Sequence, residues 1–128
     1  MQREKVKYTK QNSNLNTKAR AYKFALQVIS LMDTLSNNRA EAIIGDQLLR
    51  SATGIGANII EAQAASSRKD FRNFLNHALK SANETRFWLG LLRDSGKKTG
   101  EEINPLMKEA KELANILASS VLTLKGKV

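Results

Sequence analysis

Apolar residues in this chain recur every three or four positions, in four stretches separated by short polar segments. That is the spacing of one buried face on an α-helix. After Thr17, the residues Tyr22, Ala25, Ile29 and Met32 keep this spacing, and Phe24, Val28, Leu31 and Leu35 widen the stripe. Ser36-Asn37-Asn38 supplies a turn. A second helix is predicted from Arg39 or Ala40 to Ala65, with Ile44, Leu48, Ile55 and Ile59 as its large apolar contacts. Its middle, Ser51 to Asn58, is rich in small residues and holds Gly54 and Gly56. Each glycine costs about 1 kcal/mol relative to alanine inside a helix. An offset is expected, most simply a neighbouring backbone close enough to exclude a side chain.

Ser67 reads as the N-cap of a third helix, with Asp70 three residues on in the position of a capping box. Phe71, Leu75, Ala78, Ala82, Thr85, Leu89 and Leu92 then alternate by four and three, the seam of helices packed at a shallow angle. The segment 94–100 ends this helix, with Gly96 as its C-terminal cap. The fourth helix starts between Thr99 and Asn104. Asn104-Pro105 fits an N-cap and first helical residue, whereas a start near Glu101 puts Pro105 inside the helix, where it should bend it. Ile103, Leu106, Ala110, Leu113, Leu117, Val121 and Leu124 continue the four-three alternation. No stretch alternates with period two over the length of a strand. Short connections make consecutive helices antiparallel neighbours, so the fold class is all-α, an antiparallel up-down four-helix bundle. Residues 1–16 are polar and basic and read as an N-terminal arm or a loose extension of the first helix, leaving 17–128 as the bundle domain.

Length and composition fit a single domain of 128 residues. Cysteine is absent, which removes disulfides, thiolate metal sites and a cysteine nucleophile, and agrees with a reducing compartment. No apolar run approaches the roughly 20 residues of a membrane span. The first residues carry charges with no apolar core behind them, unlike a secretory signal, so a cytoplasmic location is expected. The balance of 21 Lys and Arg against 12 Asp and Glu leaves a net charge of +9, which favours polyanionic partners.

Catalytic chemistry has little to stand on. His77 is the one histidine, and it lies off the apolar seam. Glu61 and Glu84 belong to adjacent helices, but a carboxylate-bridged metal site of the bundle type needs glutamates on all four helices, two with a histidine three residues later. The run Gly54-Ile55-Gly56 lacks the preceding strand and third glycine of a dinucleotide loop. No enzyme, metal or cofactor is expected. Arg50, Ala57 and Glu61 fall on nearly one line of helix two, with Asn58 beside it. Arg50 and Glu61 are about three turns apart and cannot pair with each other. An inter-helix polar network of Arg50, Asn58, Glu61, Ser81 and Glu84 is therefore expected.

Positive charge is concentrated. Residues 1–23 hold seven Lys or Arg and one Glu, and residues 67–98 hold eight against three acids, while helices two and four are close to neutral. Arg72, Arg86 and Arg93 cluster along one flank of the third helix, and Lys69 and Lys80 point outward. Whether helices one and three share a face or stand across the bundle is open. Candidate phosphate contacts are Lys18, Arg20, Lys23, Arg68, Lys69, Arg72, Lys80, Arg86 and Arg93. Phe87, Trp88 and Tyr8 are candidate stacking residues. For Phe87 and Trp88 a subunit interface is the simpler reading.

The run of residues 48–62, with Arg50, Ser51, Asn58, Ile59, Glu61 and Ala62, resembles the signature of the four-helix bundle proteins encoded in intervening sequences of bacterial 23S ribosomal RNA genes. Residues 66–92 resemble that family's third helix, including Asp70, Phe71, Phe74, Leu75, Ala78, Ser81 and Glu84, and the likeness extends over roughly residues 16–124. Ala62 stands where many members have glycine, and Gln63-Ala64-Ala65 replaces a shorter turn. The resemblance implies a ring of five subunits with a positively charged surface. A related family, the accessory proteins of diversity-generating retroelements, binds a reverse transcriptase and nucleic acid. The leading expectation is thus a non-catalytic, oligomeric bundle that binds RNA or an RNA–protein assembly. The alternative is an adaptor that docks an acidic protein partner. Both exclude a membrane.

Overall fold

The computed structural model describes the backbone of residues 2–126 and the side chains of residues 17–126. Among these, four helices follow in order: α1 (Gln2–Met32), α2 (Arg39–Gln63), α3 (Arg68–Asp94) and α4 (Gly100–Leu124). The basic arm read at 1–16 and the candidate Tyr8 lie outside the described side chains.

The helices form the expected antiparallel bundle. α2 packs most extensively on α3, α3 on α4, and α1 more lightly on α2 and α4. α1 and α3 therefore stand diagonally, as do α2 and α4. This settles the open arrangement: the cations of α1 and α3 lie across the molecule from each other. The α3 and α4 seams are buried as their spacing predicts, from Leu75 to Leu92 and from Ile103 to Val121.

The stripe on α1 is phased differently from its expectation. Thr17, Ala21, Phe24, Val28 and Leu31 are buried, whereas Tyr22 is 69% exposed and Ile29 45% exposed. Both sets repeat at helical spacing, and α1 is apolar around too much of its circumference for periodicity to choose between them. Contact with α2 and α4 chooses the face centred on Phe24. Tyr22, Leu26 and Ile29 are left as an exposed apolar strip.

Local chemistry accounts for the helix ends. Asn38 caps α2, its Oδ1 accepting from the N–H of Ala40 at 3.0 Å and of Glu41 at 3.3 Å. Ser67 caps α3, accepting from the Asp70 N–H at 3.0 Å. Gly96, with φ of 79°, turns the chain out of α3 in a conformation open to glycine. α4 starts at Thr99 and not at Asn104. Thr99 and Glu102 form a reciprocal capping box, each side chain accepting the other's backbone N–H at 3.2 Å. Satisfying two orphan donors outweighs the Asn104-Pro105 signal, so Pro105 sits exposed in the second turn of the helix. α2 ends at Gln63, slightly short of its expected end, with Ala64 as its C-cap.

Two turns meet at one end of the bundle. The Glu41 carboxylate accepts the Ser36 N–H at 2.9 Å, and the Lys98 ammonium donates to the Thr34 carbonyl at 3.0 Å while lying 3.5 Å from Glu102. The Ser36 hydrogen bonds, helped by Lys97 and Lys98, hold the Glu41 carboxyl below its ordinary range. Glu102 is lowered by its hydrogen bonds to Thr99, with a smaller contribution from Lys98.

Phe24 is fully buried, so Phe24→Ala should destabilise the fold by about 3–5 kcal/mol. Tyr22→Ala should cost less than about 0.5 kcal/mol. Urea unfolding of the two variants compares these faces of α1 directly. A carboxyl whose folded pKa is depressed stabilises the fold above its unfolded pKa, and that contribution is lost as pH falls through the folded value. Stability should thus drop on acidification from about pH 4 downward. In Glu41→Gln the drop should be shallower, as read from Tm against pH by circular dichroism.

Candidate nucleic-acid interface

The nine candidate phosphate ligands separate once the helices are in place. Arg20 forms a two-pronged ion pair across α1 and α4: Nε lies 2.9 Å from Glu109 Oε2, and Nη2 lies 2.7 Å from Glu109 Oε1 and 3.6 Å from Glu112. The hydrogen bonds to Glu109 raise the guanidinium's pKa, opposed by partial burial and assisted by both carboxylate charges. Arg20 is thereby neutralised, and it clamps the most lightly packed pair of helices. Arg93 pairs with Asp94 at 2.9 Å and donates to Asn104 Oδ1 at 2.9 Å. The hydrogen bond between Arg93 and Asp94 raises the arginine's pKa and lowers the aspartate's. Lys18, Lys23, Arg68, Lys69, Arg72, Lys80 and Arg86 carry no ion pair among the described residues.

α4 is nearly neutral in sum but divided by side. A residue advances about 100° around an α-helix, so positions three or four apart share a face. Glu109 and Glu112 reach α1 through Arg20, while Met107 and Asn104 meet α3 at Gly90 and Arg93. Lys111 follows Met107 and Asn104 on the α3 side, and Lys108 projects outward beside it. On α3, Arg72, Arg86 and Arg93 occupy the matching flank toward α4. The register set by the Arg93–Asn104 and Gly90–Met107 contacts brings position 86 level with position 111. Lys108 and Lys111 escaped the sequence reading because a net count over the helix hides the segregation. A helical projection of α4 alone would have shown it.

The five residues expected to form a polar network share the outer α2/α3 face but do not join up. Asn58 donates to the Gly54 carbonyl in its own helix at 2.9 Å, and Glu84 accepts from Trp88 Nε1 in its own helix at 2.9 Å. Arg50 and Glu61 are exposed, with no hydrogen bond or ion pair among the described residues. The helix-to-helix bond is instead between Thr85 and Ser51, both buried: the Thr85 hydroxyl lies 2.9 Å from Ser51 Oγ, and the Ser51 hydroxyl donates to the Leu48 carbonyl at 3.2 Å. The reason is distance from the axis of contact. Small hydroxyls sit inside the α2–α3 contact, and long charged side chains are left at its rim. Ser81 contributes by shape: a Cβ on Gly54 would stand 3.0 Å from its Oγ, and one on Gly56 would stand 3.7 Å from the Ala21 Cβ. Gly54 thus makes room for the Ser81 side chain, whereas a Cβ at Gly56 would be in ordinary contact.

Phe87 is 58% exposed and stacks edge-on against the half-buried Trp88, ring centres 4.9 Å apart. A second exposed apolar strip, Tyr22, Leu26 and Ile29 of α1, lies on the helix diagonal to α3. His77 is exposed, its ring edge-on to Phe74 at 6.3 Å. Among the described residues no group of three or more His, Cys, Asp or Glu is placed to hold a metal. No helix among them is long and apolar enough to cross a membrane.

Residues 13–119 match the 23S rRNA-intervening sequence protein family. The chain belongs to that family. A solved structure of similar fold is a protein of unknown function from the S23 ribosomal protein family of Bacteroides thetaiotaomicron. It is 40% identical, covers 84% of this chain and 96% of its own, and superposes with a TM-score of 0.79. No curated protein matches the chain. Within the span matched to the intervening-sequence family lie the Ser51–Thr85 bond and all the cations on the facing flanks of α3 and α4 from Arg72 to Lys111.

Replacing Thr85 by Val removes the inter-helix bond to Ser51, which keeps only its bond to the Leu48 carbonyl, and should destabilise this family member by about 1–2 kcal/mol. Ser51→Ala added to Thr85→Val should cost less than the two single changes together, by about 1 kcal/mol. A double-mutant cycle in urea measures this coupling.

Proposed function

We propose that this chain is a non-catalytic, oligomeric four-helix bundle that acts in the cytoplasm and binds nucleic acid, as RNA or an RNA–protein assembly, through a basic surface. The observation that carries the reading is the row of α3 cations without carboxylate partners: Arg68, Lys69, Arg72, Lys80 and Arg86. Five cations on one helix without a carboxylate partner among the described residues make a field for a polyanion. Phosphate attraction needs distributed charge and no fixed motif, which agrees with the absence of a base-reading pattern.

Self-association is the second part of the proposal. Phe87 and Trp88 on α3 and the Tyr22–Leu26–Ile29 strip on α1 are apolar patches on different sides of the bundle. Two unlike patches suit head-to-tail contacts, which close into rings when the rotation between copies allows. The resemblance to the pentameric family members points the same way. The aromatic pair also favours a second reading, an adaptor that docks an acidic protein, because exposed aromatics mark protein contacts.

Binding of structured RNA, single-stranded DNA and heparin across a salt series separates the two. The nucleic-acid reading expects one nucleic acid to be preferred, with binding that persists near physiological salt. Affinity should fall with salt along a log–log slope of about −0.7 to −0.9 per neutralised phosphate. Equal, weak binding to RNA and heparin that disappears with salt would give the lead to the adaptor. Light scattering should return a mass several times the 14.2 kDa of one chain. A monomer mass at high concentration would remove the oligomer.

A further inference from the structure

Like charges brought level on two packed helices oppose the packing, and departures of this kind are expected at functional sites. The α3/α4 seam holds this arrangement. Its register is set by two contacts, the 2.9 Å hydrogen bond from Arg93 to Asn104 and the approach of Met107 to Gly90. One turn further, this register brings position 86 level with position 111, and neither Arg86 nor Lys111 has an ion pair among the described residues. The Arg86 Nε is shielded from solvent and meets no acceptor in the protein. Carboxylates on this side, Asp94 and Glu101, are confined to the end where the α3–α4 turn lies. The remaining acids of α4 are turned toward α1, where Glu109 and Glu112 serve Arg20.

Between the cations lie amides. Asn83 of α3 and Asn115 of α4 come to nearly the same level of the seam, exposed and without hydrogen bonds among the described residues. A carboxamide both donates and accepts, as a ribose 2′-hydroxyl does. Aromatic residues are scarce here: α4 has none, and only Phe87 borders the α3 side. Single strands are held by stacking successive bases on aromatic rings. Arg86, Lys108 and Lys111 lie near one level and Arg72 stands about 21 Å further along α3, with amides between and no stacking platform, a spacing that suits a helical sugar-phosphate backbone.

We infer that the α3/α4 seam, with Arg72, Arg86, Lys108 and Lys111 as phosphate contacts and Asn83 and Asn115 as 2′-hydroxyl contacts, is a docking track for double-helical RNA. The inference rests on the nucleic-acid reading above and narrows it to one side of the molecule. The α1 lysines at 18 and 23 stand on the opposite helix and take no part.

The test is fluorescence anisotropy of the full chain with a labelled RNA hairpin, a DNA duplex of the same sequence and an unpaired RNA, across salt. Lys108→Glu with Lys111→Glu, both exposed positions, should weaken hairpin binding by about tenfold or more and reduce the salt slope by about two. Lys18→Glu with Lys23→Glu changes net charge equally and should alter binding less than about twofold. Asn83→Ala with Asn115→Ala should narrow the preference for RNA over DNA duplex, and thermal melts confirm that each variant folds. Equal losses from the two lysine pairs, or none from either, would overturn the seam while leaving a nucleic-acid-binding protein. Equal affinity of the wild type for RNA and DNA duplexes, or tighter binding of unpaired RNA, would overturn the duplex-RNA assignment. A wild type that binds no nucleic acid would remove the underlying function and this inference with it.

Discussion

The close contact between α2 and α3, centred on Ser51, Gly54, Ser81 and Thr85, sets the rotation of both helices about their axes. The Thr85 hydroxyl meets Ser51 Oγ inside the contact while Ser51 donates to the Leu48 carbonyl, and Gly54 leaves the space that the Ser81 side chain fills. With α3 held in this rotation, its arginines at 72, 86 and 93 turn to the opposite flank, toward α4. Glu84 and Trp88 turn back toward the α2 side, where they bond to each other. The separation of charge on α3 is thus a consequence of packing between small residues one helix away.

α4 completes the pattern by dividing its charges between two neighbours. Glu109 and Glu112 are engaged by Arg20, which ties down α1 where apolar contact is lightest. The lysines of α4 are then left on the other side with no acid to answer them. A single interhelical clamp therefore has two effects: it secures α1, and it withdraws negative charge from the α3 side. This links a stabilising ion pair to the electrostatics of a surface it does not touch.

The bundle, its helix count and the buried seams of α3 and α4 were legible because each follows a local rule. Four-three spacing determines a buried face, and Ser67 and Asn38 mark helix starts by satisfying orphan N–H groups. One reading went astray and another stayed open where local rules conflict. On α1 two apolar stripes compete, and periodicity has no means of ranking them. At the start of α4 the Thr99–Glu102 box and Asn104-Pro105 are both valid signals, and the former prevails by satisfying two donors at once. The candidate interface was half legible. The arginines of α3 stand out by number, whereas Lys108 and Lys111 are masked by the glutamates of the same helix.

By itself the sequence determined the class of fold, the approximate bounds of α2, α3 and α4, and the excess of positive charge, all of which depend on composition and near-neighbour spacing. Only the tertiary structure decided that α1 stands diagonal to α3 and that Phe24, not Tyr22, faces inward. It also decided that Arg20 is consumed by Glu109 and that Arg93 reaches Asn104 across the α3–α4 seam. These facts depend on which helix lies beside which and at what rotation. Such relations arise from contacts between residues far apart in the chain, and no local pattern encodes them.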